Sequence, residues 1–172
     1  MMTEGYPFIL EYVDRRGADD LMEYTIQYRF ESSKSGHSYV VRVERYIDHT
    51  YCVKFYDDAK RQNYDKYSLR SNTFEARTIF YTVMNVMLDV YKQDECASFF
   101  FIGAEDEKDV RGKATRRYRI YHSFVSSVVG DRVFTHSRND LLSLYILVNK
   151  KNVTDIKAYV ERISNMVANL LF

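Results

Sequence analysis

The chain has no tryptophan, one proline (Pro7), six glycines and two cysteines, and each shortage removes a class of structure. With so little proline and glycine there is no linker-like stretch, so residues 1–172 are expected to form a single domain. Cys52 and Cys96 lie far apart, which matches neither a disulfide framework nor paired zinc-ligand spacing; two reduced, buried thiols are expected. Lys and Arg total 25 against 24 Asp and Glu, a net charge of +1, so no global field draws the chain to nucleic acid or anionic lipid. Binding of either kind has to come from a local patch. No segment approaches the roughly 20 apolar residues of a membrane-spanning helix, and the first residues show no basic region leading into an apolar run. The expectation is a cytoplasmic chain with no membrane partner.

What the chain does have is aromatic: 16 Tyr and 11 Phe within a composition that is 46% hydrophobic and 28% charged. Enough apolar surface is present to offset chain entropy, which excludes global disorder. From Met22 to Glu31 the residues Met22, Tyr24, Ile26, Tyr28 and Phe30 alternate with polar ones, the period-2 signature of a half-buried strand. Ser32–Gly36 reads as a turn into a second strand over His37–Ile47, and Asp48-His49 turns the chain into a third over Tyr51–Tyr56. Phe8–Val13 is an earlier strand candidate. Asp57–Asn72 reads as a long loop with a short strand near Tyr67–Leu69.

Helical spacing takes over afterwards. Ala76, Ile79, Phe80, Val83, Met84, Met87, Val90 and Tyr91 form one apolar stripe, with Asn72 and Glu75 placed as a capping pair, predicting a helix over about Thr73–Lys92. Ser98–Ile102 reads as an interior strand. Arg116–Val129 reads as a second helix ended by a left-handed Gly130, and Leu141–Asn149 as a buried strand. Val153, Ile156, Val160, Ile163, Val167 and Leu170 predict a closing helix after Asn152. The order implies an α+β fold: a mainly antiparallel curved sheet opening on a meander, with about three helices packed on one face.

The most unusual segment runs from Arg111 to His122. Arg111, Lys113, Arg116, Arg117 and Arg119 occur with no acid among them, interleaved with Tyr118 and Tyr121. Cations at a helix N-terminus oppose the positive end of the macrodipole by about 0.3 to 1 kcal/mol each, and a local rule broken in this way can mark function. On one reading the cations contact phosphates while Tyr118 and Tyr121 stack on bases, with RNA as the partner. On the other they pair with the acidic Glu105–Asp109 run and form a solvated face.

Other chemistry is thinner. Asp106-Glu107-Lys108, with Asp57-Asp58 as partner acids, resembles part of a magnesium-dependent nuclease motif, but such residues are abundant here. His37, His49, His122 and His136 show no chelating spacing, so no metal site is expected. His122 with Arg117, Arg119 and Tyr121 could serve metal-free RNA cleavage. No phosphate-cradling glycine loop or nucleophile elbow is present, and no cofactor is expected.

The succession of first helix, Ser98-Phe99-Phe100-Phe101-Ile102, acidic loop, Ala114-Thr115-Arg116-Arg117-Tyr118-Arg119-Ile120-Tyr121 and Leu144-Tyr145-Ile146-Leu147-Val148 resembles small uncharacterised bacterial families, mostly from the Bacteroidetes. The resemblance spans roughly residues 73 to 165. It implies a bacterial or phage origin and a shared α+β shape, and carries no activity. The functional expectation is thus a binding or regulatory module that contacts RNA or an acidic protein through its basic helix. The alternatives are a small toxin-type ribonuclease and a non-enzymatic homodimer formed through an edge strand.

Overall fold

The computed structural model describes residues 4–62, 75–103 and 114–171. The chain divides into two compact units, Met1–Glu95 and Cys96–Phe172.

The first unit opens on four strands, β1 (Phe8–Asp14), β2 (Met22–Glu31), β3 (Ser38–Tyr46) and β4 (Thr50–Asp57), each pairing antiparallel with the next. Register sets Phe30 opposite Tyr39, Tyr28 opposite Val41, and Val41 opposite Phe55. Directly opposed residues share a face, so these side chains make one continuous apolar surface. Helix α1 (Ala76–Gln93) lies on it: Phe80 packs edge-on to Phe55 with centroids 5.5 Å apart, and Tyr28 Oη donates to Asp89 Oδ2 at 3.0 Å. Ile47, Asp48 and His49 make the three-residue β3–β4 turn between the paired Tyr46 and Thr50, with Asp48 and His49 at φ of 60° and 54°. At the other edge, Ile9, Leu10, Tyr12 and Val13 of β1 are exposed.

Two expectations are corrected here. Glu75 makes no capping hydrogen bond; its carboxylate is taken instead by the hydroxyls of Tyr6, Ser32, Ser35 and Tyr39. Cys52 is buried, and burial pushes its thiol up to about 12, but Cys96 is only half-buried; neither is in a disulfide. Asn72 and the expected short strand at Tyr67–Leu69 lie outside the described residues.

The second unit contains β5 (Ser98–Ile102), α2 (Arg116–Val128), β6 (Phe134–Asn139), β7 (Leu144–Asn149) and α3 (Ile156–Leu171). β7 pairs antiparallel with β5 on one side and β6 on the other, and all its residues are buried, which is why its sequence is continuously apolar. It starts later than expected because Leu141 is exposed and Ser143 turns the chain at φ 50°. α3 starts at Ile156 and not directly after Asn152, with Asp155 Oδ1 accepting from Ala158 N at 3.0 Å; Tyr159, Ile163 and Val167 are its buried side. Among the described residues the two units are α+β, with antiparallel pairings, an N-terminal meander and three α-helices. Among the described residues no helix is long and apolar enough to cross a membrane.

Several tyrosines are held neutral by their surroundings. Burial, chiefly, raises the phenols of Tyr28, Tyr46, Tyr51, Tyr56, Tyr118 and Tyr145, with Asp89, Asp94 and Asp140 adding to the effect at Tyr28, Tyr51 and Tyr118. In the unfolded chain these groups ionise near pH 10. Above that pH the unfolded state has shed protons that the folded state still holds, so stability falls as pH rises. Below it the contribution is fully present. Urea midpoints are therefore expected to drop from about pH 10 upward, and phenolate absorbance should develop in two phases, the second coinciding with unfolding.

Candidate functional site

The basic segment becomes α2, and its helical turn sorts the expected residues onto two sides. Thr115 caps the helix, its Oγ1 accepting from Tyr118 N at 3.1 Å while donating to Gly103 O at 3.1 Å. Ser143 Oγ accepts from Thr115 N at 2.9 Å. The helix N-terminus is thus fastened to the end of β5 and to the turn before β7, and this sets the rotation of α2. Arg117, Tyr118, Tyr121 and Val125 face inward, whereas Arg116 and Arg119 are exposed.

This overturns the base-stacking role of the tyrosines. Tyr118 and Tyr121 are 3% and 1% exposed, so neither ring offers a face to a base. Tyr121 packs on Phe101 with centroids 5.3 Å apart, and Tyr118 donates to Asp140 Oδ1 at 2.5 Å. Arg117 is 4% exposed, with its guanidinium 6.0 Å from the Tyr121 ring, which also removes Arg117 and Tyr121 from any catalytic set around His122. Arg119 Nη1 donates to Ala114 O at 2.8 Å and remains at the surface. Arg111, Lys113, the Glu105–Asp109 run and Asp106-Glu107-Lys108 lie outside the described residues. In the first unit Asp57 caps the short turn through Ala59 N and meets His37, and Asp58 pairs with Arg29 at 3.0 Å, the ordinary work of strand-end acids.

The histidine of α2 does have company, contributed by a strand that composition hides. One helical turn beyond Arg119, His122 opens onto a groove of about 770 Å³ between the second half of α2 and β6, within the usual range for ligand sites. His136, Arg138, Tyr145 and Lys150 line it with His122 and Ser126. β6 supplies His136 and Arg138 two residues apart, so both point to the same side; register places Arg138 opposite Tyr145.

The hydrogen bonds in this groove assign proton positions. Arg138 Nη1 lies 2.8 Å from His122 Nε2 and can only donate, so His122 is neutral there, with its proton on Nδ1. His136 Nε2 donates to Gly130 O at 3.0 Å, and its Nδ1 lies 2.6 Å from Tyr145 Oη. Gly130 therefore serves through its carbonyl. It is not the left-handed helix stop that was expected: Val129, extended at φ −97° and ψ 117°, ends α2. The Tyr145 ring stands edge-on to both imidazoles, with centroids 5.7 Å from His122 and 5.8 Å from His136. Burial raises the Tyr145 phenol, and Arg138 partly offsets this. Lys150 Nζ donates to Asp131 O at the rim.

The groove thus presents two imidazoles, a phenol and two cations, with Asp131 as its acidic lining residue. Sequence reasoning found His122 and passed over His136, Arg138, Tyr145 and Lys150. The available signal was the spacing of His136 and Arg138, legible once Phe134–Asn139 is taken as a strand. In comparisons with known proteins, no family model matches the chain, and no curated protein or solved structure matches it significantly.

Proposed function

We propose that the second unit binds single-stranded RNA, whose phosphates follow Arg116 and Arg119 along α2 to the groove at His122 and Arg138. The observation that carries this reading is that α2 has no acid in its first turn, exposes two arginines there, and leads along the same side into a recess holding further cations. That arrangement opposes the helix macrodipole and is relieved when an anion arrives. The half-buried rings of His122 and His136 along the groove suit a ribose and base better than an acidic peptide, whose carboxylates bring no flat group to lie against them.

Fluorescence anisotropy with a 2′-O-methylated single-stranded RNA tests this without risk of cleavage. Neutralising three phosphates, by Arg116, Arg119 and Arg138, gives an expected slope of log affinity against log salt of about −2. Replacing Arg116 and Arg119 together by alanine should flatten that slope by about 1 to 1.5. Absence of binding at low salt, or an unchanged slope in the double variant, removes the reading. An acidic peptide competing as well as RNA would redirect it to a protein partner.

A further inference from the structure

We infer that β1 pairs antiparallel with β1 of a second copy, making a two-fold dimer through the open edge of the first unit; this is independent of the RNA reading. Among the described strands β1 pairs with β2 alone, so its outer side carries a row of backbone donors and acceptors that no described strand takes. Ile9, Leu10, Tyr12 and Val13 are 62%, 52%, 45% and 48% exposed, four large apolar side chains within five residues. Monomers rarely leave so much apolar surface wet in one place. The charges of the strand are engaged within their own copy. Glu11 accepts from Gln27 Nε2 at 3.1 Å and from Arg29 Nε at 3.0 Å, and Asp14 holds Arg16 at 3.0 Å.

Register with β2 sets the faces of the strand. Leu10 and Val13 lie opposite Tyr28 and Ile26, on the side that carries α1, whereas Ile9, Tyr12 and Asp14 lie opposite Arg29, Gln27 and Thr25, on the other side. Glu11 is the extra residue of a bulge between Leu10 and Tyr12, and its bonds to Gln27 and Arg29 place it on the same side as Tyr12.

The bulge selects the occupant. An irregular edge turns away a regular strand, but it admits a strand with the same bulge, related by a two-fold axis that passes between Glu11 and Tyr12. In that register Leu10 faces Val13 of the second copy, Glu11 faces its Tyr12, and Ile9 faces its Asp14. Every pair then shares a side of the sheet, and no like charges meet. A shift of one residue in either direction sets Leu10 against Tyr12 or Asp14, which lie on the opposite side. Side chains of this size offer on the order of 200 Å² each when bare, so the exposed fractions come to roughly 400 Å² per copy. With the strand backbones, two copies reach the roughly 1,000 Å² at which specific association begins. The same patch serves both copies, so assembly closes at two.

Sedimentation equilibrium from micromolar to near-millimolar protein tests this. Wild type should pass from monomer to dimer as concentration rises and stop there. Val13→Lys and Leu10→Glu should each weaken association by about tenfold or more, because each substitution occurs twice in the dimer. Combined in one chain they should recover most of the loss, since the introduced charges then face each other as two pairs of opposite sign. Leu141→Lys, at an 80% exposed site in the second unit, should leave the dimer unchanged. All these side chains are exposed, so the variants keep the fold, which far-UV circular dichroism checks. Wild type that stays monomeric throughout, or association untouched by Val13→Lys, overturns the proposal. A double variant no better than its parts overturns the register, and growth beyond two copies overturns the two-fold pairing.

Discussion

Replacing Glu75 by alanine is expected to destabilise the first unit by about 3 kcal/mol, because one buried carboxylate there serves four hydroxyl donors at once. Oε2 accepts from Tyr6 Oη at 3.1 Å and from Ser32 Oγ; Oε1 accepts from Ser35 Oγ at 3.0 Å and Tyr39 Oη at 3.2 Å. The side chain is 3% exposed, so water does not replace it when it is removed. It also joins three separate pieces of chain: the segment before β1, the β2–β3 turn and the start of α1. A carboxylate is suited to this because it only accepts, with about four lone-pair sites for four donors. Glutamine keeps the volume but turns two donors toward hydroxyl groups that need an acceptor. Glu75→Gln should therefore recover little of the loss, whereas a pure cavity effect would be largely cured by it. Urea unfolding of the two variants decides between these outcomes, and a cost below about 1 kcal/mol for alanine would mean that the hydroxyls find other partners.

Glu75 also shows where sequence reading stops. Its position three residues after Asn72 fits a capping pair, and local pattern has no means of announcing that two tyrosines and two serines from distant segments converge on it. Where packing enforces a period, the reading was close: β2 and β5 occur at the residues their alternation and apolar run indicate, because one face of β2 meets α1 and β5 has no wet face. β6 was missed for the complementary reason. It pairs with β7 alone among the described strands, so only Phe134 of its residues is fully buried and the rest are free to be polar.

The groove was half legible for the same cause. His122 stood out beside a run of arginines, but its partners lie on β6 and β7, and a strand that shows no hydrophobic period gives no hint that His136 and Arg138 share a side. The tyrosines failed in the opposite direction. Tyr118 and Tyr121 look like a contact surface when read in sequence, yet with Val125 they form the buried side of an amphipathic helix, the phenol of Tyr118 finding Asp140 at the edge. A tyrosine satisfies either role, and only the rotation of the helix decides which one it takes.

That rotation depends on Gly103, and Gly103→Ala is expected to cost about 3 kcal/mol and to dislodge α2. A Cβ at this position would come within 2.5 Å of both Thr115 Oγ1 and Tyr118 N, and within 2.6 Å of Tyr118 Cβ. All three atoms belong to Thr115 and Tyr118, the two residues locked in the cap, and one is backbone, so no side-chain rotation clears the space. The first turn of α2 must move away, which breaks the Thr115 bond to the Gly103 carbonyl along with the contact. Gly130→Ala is the matched control, because a Cβ there meets nothing within 4 Å. Urea unfolding should separate the two variants clearly, and amide exchange should show α2 losing protection in Gly103→Ala before β7 does. RNA affinity should fall with it, since Arg119 and His122 are aimed by the same turn. Wild-type stability in Gly103→Ala would mean that α2 does not rest on the end of β5, and the alignment of its exposed arginines with the groove would lose its structural basis.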